Sequence, residues 1–252
     1  MKLCDSHIHI GQFYDIYTSP TEMVAFLNQV GINVVAVSST TTCEENFTKV
    51  VEEMQHFCNL FGKFAIPVLW VTPLLLNNSE LLEYVLRMVD WKCIKVHPQL
   101  SPDDWNPDGV NFNSSVELSN RLNVPMLIHT GVVKNCHPLQ LQPLFKKHPN
   151  TIFILAHGRP IDETVSVMLN FPNTLVDTAF MLTQDIVKLI NHGLSDRILW
   201  GSDYPIIKFY ERGINGGEYY NDTLSELRKC INENDYIKIT HNNFMHIFNL
   251  HI

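Results

Sequence analysis

The regular alternation of short apolar runs with longer amphipathic segments is the feature that most constrains the fold of this chain. Runs rich in β-branched and other apolar residues recur from end to end, and a helix-length segment separates each run from the next. The predicted strands are Lys2–Ile8, Asn33–Val37, Phe64–Val71, Cys93–Val96, Val124–Ile128, Thr151–Ala156, Thr174–Asp177 and Arg197–Trp200. Strands that alternate with helices pair in parallel through right-handed crossovers, so the pattern predicts an α/β fold.

The spacing of the eight predicted strands favours a closed barrel. Their carboxyl ends recur about every 28 residues, close to the ~30 residues per unit of an eight-fold barrel of ~250 residues. A doubly wound open sheet is the alternative, but no Gly-rich phosphate-binding turn follows the first strand. No repeat or Pro/Gly/Ser-rich linker divides the 252 residues. We therefore predict a (β/α)8 TIM barrel that forms a single domain over residues 1–252.

The segments between the strands carry helix start and stop signals. The first follows a capping Ser19, has Pro20 in its first turn and stops before Gly31, which are typical helix ends. The predicted helices are Pro20–Val30, Glu44–Phe61, Glu80–Val89, Ser115–Leu122, Leu139–Lys147, Ile161–Phe171, Gln184–Asn191, Asp222–Asn232 and a closing Tyr236–Phe248.

The composition excludes several classes of partner. Hydrophobic residues make up 45% and charged residues 17% of the chain, which indicates a packed core and not disorder. The net charge of −8, without a basic block, argues against nucleic acid or an anionic membrane as partner. No apolar run is long enough to span a bilayer, and the N-terminus has no signal-peptide apolar region. Because the six cysteines are scattered, without a Cys-x-x-Cys pair, we expect reduced thiols in a cytoplasmic protein.

Residues that bind metals stand where four of the predicted strands end. His7 and His9 alternate onto one face of the first strand, His129 and His157 end two others, and Asp203 follows the eighth. In a barrel these ends converge on the carboxyl face, where active sites lie. A single strand histidine is commonly a hydrogen-bonded core residue, and Asp203 alone can cap a loop. The four ends together predict a site for a divalent ion, which imidazole and carboxylate groups ligate.

The order of these motifs resembles the amidohydrolase superfamily, in the amidohydrolase-related branch that includes aminocarboxymuconate-semialdehyde decarboxylase. The resemblance covers nearly the whole chain and rests on Asp5-Ser6-His7-Ile8-His9, the strand ends at His129 and His157, and Trp200-Gly201-Ser202-Asp203-Tyr204-Pro205.

The resemblance implies one divalent ion ligated by His7, His9, His129 and Asp203. It also implies that His157 acts as acid and base on the water bound to the ion, and Asp203 can accept a proton there as well. Zinc fits the ligand types best, and manganese or another first-row ion is an alternative. A site with two ions is the alternative, in which His157 would be a ligand and Lys95 a carboxylated bridge.

Further polar residues near the strand ends are candidates for substrate contact. Lys95 and His97 share one face of the fourth strand, whose Lys-x-His-Pro run resembles the same branch. They are predicted to contact the substrate or the ligands; a structural role is the alternative. Arg159 suits a substrate carboxylate or a loop-fixing role. Asp177 can orient a ligand histidine or make another buried polar contact.

Two long loops, 98–112 and 204–220, are predicted on the active face, and loops of this length commonly act as lids. The aromatic residues of the second loop can close over a flat or apolar substrate, or they can pack against the barrel or a neighbouring subunit. Tyr204 is the substrate-binding candidate among them; the others are Phe209, Tyr210, Tyr219 and Tyr220.

These observations predict a metal-dependent hydrolase that acts on a small organic substrate, such as a lactone, an amide or a similar carboxylic derivative. The first alternative is a metal-dependent decarboxylase of an unsaturated or aromatic carboxylic acid. The second is a barrel that binds a metal or ligand without turnover. The expected partner is a small molecule, and a homodimer is the default oligomeric state.

Overall fold

The computed structural model of the protein describes residues 2–100 and 102–250. Within these ranges nine strands form one curved sheet in the spatial order β2-β1-β3-β4-β5-β6-β7-β8-β9. All neighbouring strands pair in parallel except β1 and β2, which form an antiparallel hairpin. The strands are β1 (Leu3–Phe13), β2 (Ile16–Thr18), β3 (Ile32–Ser39), β4 (Ala65–Trp70), β5 (Cys93–Val96), β6 (Met126–His129), β7 (Phe153–Ala156), β8 (Thr174–Asp177) and β9 (Ile198–Leu199).

The sheet closes where the segment after β9 runs beside β1. The backbone N–H of Ser6 donates to the carbonyl of Trp200 at 2.9 Å, and the N–H of His9 donates to the carbonyl of Tyr204 at 2.8 Å. Gly201 permits this approach, because a Cβ there would lie 2.9 Å from Ser6 Oγ. Eight parallel strands with a closed seam confirm the predicted TIM barrel.

Helices cover the outside of the barrel and close one end. They are α1 (Pro20–Val30), α2 (Phe47–Phe61), α3 (Pro73–Leu76), α4 (Ser79–Met88), α5 (Val110–Leu122), α6 (Gln142–Lys147), α7 (Ile161–Asn170), α8 (Thr183–Asn191), α9 (Ile207–Tyr210), α10 (Gly216–Cys230), α11 (Glu233–Ile237) and α12 (Asn243–Ile247). A π-helical turn, Lys238–Asn242, joins α11 to α12. No helix in the described ranges is long and apolar enough to cross a membrane.

The apolar residues form two layers that leave one end of the barrel polar. The outer layer packs the strands against the helices, whereas the inner layer fills the barrel and receives Phe244 from α12. Cys93, Leu127 and Leu175 belong to the inner layer. Two residues further along the same strands, on the same face, stand Lys95, His129 and Asp177, all buried. The inner face therefore changes from apolar to polar toward the carboxyl ends, as expected for this fold.

Several boundaries differ from those that the sequence predicts. β1 continues to Phe13, because it pairs with the unpredicted β2 through a hairpin. α2 begins at Phe47 and not at Glu44, because the side chain of Asn46 accepts the N–H of Lys49 at 3.2 Å and caps the helix there. The residues before it form a 3₁₀ turn.

The two predicted long loops are partly helical. In 98–112, two 3₁₀ turns precede α5, which begins five residues earlier than predicted, at Val110. In 204–220, α9 forms and α10 already begins at Gly216, where the side chain of Asn215 accepts two backbone N–H groups. α6 is shorter than predicted and follows a 3₁₀ turn, Pro138–Leu141.

Candidate metal centre and active site

Three of the predicted metal ligands meet at the carboxyl end of the barrel. His7, His9 and Asp203 are buried, and one ligand atom of each lies within 4.8 Å of the other two. Asp203 Oδ1 is 2.8 Å from His9 Nε2 and 3.4 Å from His7 Nε2. The backbone brings Asp203 there, because its N–H donates to the carbonyl of His7 at 2.8 Å and its φ of 56° turns the chain in the left-handed region.

Lys95 lies directly against this group and reveals the tautomers of both histidines. Its ammonium nitrogen is 3.0 Å from His7 Nε2 and 3.2 Å from His9 Nε2. An ammonium only donates, so both Nε2 atoms carry their lone pairs and accept from it. Burial lowers the pKa of Lys95 to about 8 and holds the pKa values of His7 and His9 well below their usual range.

The opposite nitrogens of the two histidines are held by residues of β8 and β3. His7 Nδ1–H donates to Asp177 Oδ2 at 2.9 Å, and Ser38 Oγ lies 3.0 Å from His9 Nδ1. Burial raises the pKa of Asp177, while backbone N–H groups of His157 and Ala179 donate to its Oδ1 and stabilise the ionised form. This geometry matches the orienting role predicted for Asp177, which is common for groups behind metal ligands.

The donor set fits a divalent ion. Two imidazole Nε2 lone pairs and one carboxylate oxygen converge in a buried place, which suits zinc and other first-row ions. Asp203 Oδ1 has no hydrogen-bond partner in the described part of the chain, because the adjacent Nε2 atoms carry no proton. A buried carboxylate oxygen without a donor is costly, and a cation bound there would satisfy it.

His157 stands beside this group with its acceptor nitrogen turned inward. Its Nε2 is 3.9 Å from Asp203 Oδ2, and its Nδ1–H donates to the carbonyl of Ala179 at 3.1 Å. Burial lowers the pKa of His157 to about 4, so the ring is neutral near pH 7. Since 3.9 Å exceeds a direct hydrogen bond, a proton passes between His157 and Asp203 only through a third group.

The fourth predicted ligand lies outside the group of three. His129 Nε2 is 2.9 Å from Gln99 Oε1, and its ring stacks on that of His97 with centroids 3.7 Å apart. Burial lowers the pKa of both histidines well below the usual range. Gln99 is absent from the sequence-based candidates; it lies in the 3₁₀ turn Pro98–Leu100 after the end of β5, where the alternation of a strand no longer applies.

A cavity of about 570 Å³ opens above the metal group. Arg159 is exposed in its wall; its N–H and Nε bond to Thr130, and its two terminal nitrogens have no partner among the described residues. Phe180 stacks on His157 at 6.0 Å. The other aromatic residues of the wall are Phe13, Tyr14, Trp70, Phe209 and Tyr210.

Tyr204 does not reach this cavity. It is 4% exposed, and its ring stacks on Phe26 with centroids 4.3 Å apart. Tyr219 and Tyr220 lie in α10, where Tyr220 is fully buried. Of the five aromatic residues predicted to close over a substrate, Phe209 and Tyr210 line the cavity. The structure thus places Tyr204, the predicted substrate contact, in the packing behind the wall.

A buried carboxylate that the sequence analysis did not name as a site residue lies beside the metal group and bonds to the segments that carry it. Asp5 accepts the N–H of His7 at 3.0 Å, and the N–H and Oγ–H of Ser202 at 3.1 and 2.7 Å. It also accepts the phenol of Tyr220 at 2.7 Å. Burial raises the pKa of Asp5 to about 7. These contacts join β1 to the segment that carries Asp203.

Comparison with known proteins decides the family. A family model described as amidohydrolase matches residues 4–234. The chain belongs to the amidohydrolase family. This match confirms the predicted resemblance and the prediction of an enzyme. No curated protein sequence matches the chain.

Solved structures similar to this amidohydrolase share its barrel. An uncharacterised TIM-barrel protein from Bordetella bronchiseptica has a TM-score of 0.75 and 14% identity over 99% of each chain. A 4-oxalomesaconate hydratase from Rhodopseudomonas palustris has a TM-score of 0.68 and 16% identity, over 98% of this chain and 96% of that one. A 2,6-dihydroxybenzoate decarboxylase has a TM-score of 0.69 and 16% identity, over 99% and 98%. At these identities the likeness shows the fold.

Proposed function

We propose that this amidohydrolase is a metal-dependent hydrolase of a small organic substrate, such as a lactone, an amide or a similar carboxylic derivative. The observation that carries the proposal is the convergence of His7, His9 and Asp203 on the floor of the cavity, beside the neutral ring of His157. These three residues would hold one divalent ion, with zinc as the first choice. His129 would join them only after its hydrogen bond to Gln99 is broken.

A bound divalent ion supplies two effects at such a site, since it polarises a substrate carbonyl and lowers the pKa of a water toward ~7. His157 Nε2 accepts the proton of the attacking water, because Nδ1 keeps its own proton bound to the carbonyl of Ala179. Asp203 Oδ2 faces His157 and orients the same water. Arg159 binds a carboxylate of the substrate with its two free nitrogens.

Decarboxylation of an aromatic carboxylic acid is the second candidate. The aromatic wall of the cavity favours it, because Phe180, Phe209 and Tyr210 offer faces and edges to a planar ring. The fold is shared with a solved structure named 2,6-dihydroxybenzoate decarboxylase. The same Arg159 would then hold the carboxylate beside the metal group.

Two measurements test the proposal. Elemental analysis of protein purified without added metal or chelator should find about one transition ion per chain, and the His7→Ala/His9→Ala variant should lose it. About two ions per chain would instead support a carboxylated Lys95. The loaded protein is then assayed with a panel of lactones, amides and aromatic carboxylates. Acid release without CO2 supports the hydrolase, CO2 evolution supports the decarboxylase, and a protein that binds no ion after reconstitution contradicts both.

A further inference from the structure

A second cavity of about 580 Å³, here called the side cavity, adjoins the cavity above the metal group. The two share wall residues contributed by the end of β1 and the turn after it, by β4 and by the segment after β5, namely Phe13, Tyr14, Trp70, His97 and Leu100. The two cavities therefore lie side by side and meet at these residues. Each cavity alone has a size typical of small-molecule sites.

The side cavity has a rigid aromatic wall. Trp70 is 5% and Trp105 2% exposed, and Trp105 is held by an edge contact with Phe112 at 5.2 Å between ring centroids. Thr42, also in the wall, is fully buried, and its Oγ1 has no hydrogen-bond partner among the described residues. The Trp70 ring stacks on His97 at 5.3 Å and has the Lys95 ammonium 4.7 Å from its centroid, so the indoles offer the ligand an apolar wall and not a free face. An unpartnered hydroxyl in that wall favours a polar substituent on the ligand.

The two cavities differ in the charged residues that line them. Glu44 and Glu45 are the charged residues of the side-cavity wall, and neither has an ion-pair partner within the described ranges. Among those residues no lysine or arginine lines it. The cavity above the metal group presents Arg159, whose terminal nitrogens have no partner among the described residues, together with one exposed carboxylate, Glu211. A ligand that spans both cavities thus meets Arg159 beside Glu211 at one end, and two carboxylates with no lysine or arginine at the other.

We propose that the substrate is an amino-substituted aromatic acid that spans both cavities and, for hydrolysis, carries a lactone or amide bond over the metal group. Its single carboxylate binds Arg159, and its ring carries a positively charged amino group into the side cavity, toward Glu44 and Glu45. This proposal specifies the substrate of the proposed function. It depends on that function only for the binding of a substrate carboxylate by Arg159. A second carboxylate at the far end is disfavoured, because it would face two like charges with no cation to balance it.

Three probes with the same carbon skeleton test the side-cavity end in a binding assay that requires no turnover. They are 3-phenylpropanoates whose para position carries an aminomethyl, a methyl or a carboxylate group. Isothermal titration calorimetry with the zinc-loaded protein should rank aminomethyl tightest and carboxylate weakest, with dissociation constants about tenfold apart at low salt for charges a few ångströms from a carboxylate near the surface. The ratio should shrink as salt screens these exposed charges.

Matched variants assign the effect to the side cavity. Glu44→Gln/Glu45→Gln should bring the three dissociation constants to within about twofold of one another, because it removes the facing charges. Glu80→Gln/Glu117→Gln removes the same net charge from exposed positions on α4 and α5 that line neither cavity, so it should keep the wild-type ratio. Arg159→Met should weaken all three probes alike.

The outcomes separate this inference from the function on which it rests. Equal binding of the three probes, weakened by Arg159→Met, overturns the side-cavity assignment and leaves the carboxylate anchor standing. Discrimination that persists in Glu44→Gln/Glu45→Gln also overturns it. If no probe binds, or if Arg159→Met changes nothing, the anchor fails and the inference falls with it.

Discussion

Asn in place of Asp177 should weaken metal binding without changing any ligand. Asp177 Oδ2 accepts Nδ1–H of His7 at 2.9 Å, while its Oδ1 accepts the backbone N–H groups of His157 and Ala179. An amide offers only one acceptor oxygen. If that oxygen stays with the backbone donors, the NH2 group faces His7 Nδ1, and the imidazole proton moves to Nε2, the ligand atom. If the amide is flipped, both backbone donors face NH2.

The expected size follows from this contact. Both side chains are at most 2% exposed, and a buried hydrogen bond to a charged group contributes about 1.5–3 kcal/mol. At about 1.4 kcal/mol per factor of ten, the zinc dissociation constant should rise ~10–100-fold. Changes in groups that orient metal-bound histidines have effects of this size.

Competition with a chromophoric chelator at constant pH measures the zinc dissociation constant, and thermal unfolding of the chelated protein reports the stability of the fold. Ser38→Ala is the matched control, because it removes the neutral partner of His9 and should weaken zinc by only a few-fold. An affinity of Asp177→Asn within twofold of wild type, in a folded protein, would refute the assignment of His7 as a ligand oriented by Asp177.

Three further predictions concern the same site. Lys95→Met should tighten zinc binding about tenfold, because the ammonium no longer competes for the two Nε2 lone pairs; a loss of metal in the same titration would instead indicate a carboxylated, bridging Lys95. His157→Asn should keep the metal content in elemental analysis and lower kcat ~10²–10⁴-fold with whichever substrate the panel identifies, and an unchanged kcat would exclude the proton-transfer role. In chelated protein, burial lowers the pKa of His157 from 6.5 to about 4, so its contribution to stability is complete above pH 6.5 and is lost as the pH falls toward 4. Denaturant midpoints of wild type should therefore drop from pH 7 to pH 5 more steeply than those of His157→Asn, by an amount that corresponds to about 2 kcal/mol over this range.

The sequence alone determined the barrel and the end at which its site lies. Strands of period 2 separated by helices of period 3.6 permit few arrangements, and alternation places His7 with His9, and Lys95 with His97, on one face of a strand. Alternation alone does not turn the two histidines of β1 inward, because Cys4 also belongs to the inner layer and a register shift between Asp5 and Ile8 brings His7 to the same side. Sequence order could also place Asp203 beside them, since β9 is the neighbour of β1 in a closed barrel.

The hairpin strand β2 and the helices inside the expected loops escaped prediction for a local reason. β2 has three residues, Ile16–Thr18, and pairs only with the end of β1, so it is too short to show a period. α10 begins at Gly216, where a capping Asn215 outweighs the poor helix propensity of two glycines. Such competition between a cap and propensity is decided by the packing of the whole helix.

Only the tertiary structure decided which polar residues form the metal group and which stay outside it. His157 follows an inward-facing Ala156, so simple alternation would turn it away, and its φ of 69° returns it to the site. His129 bonds to Gln99 and stacks on His97, and both contacts depend on the path that the chain takes after β5 and at the end of β6. Which nitrogen of each histidine carries the proton, and hence which one can bind a metal, depends on partners far apart along the chain. Sequence periodicity is a property of one strand at a time, so it carries no information about such contacts.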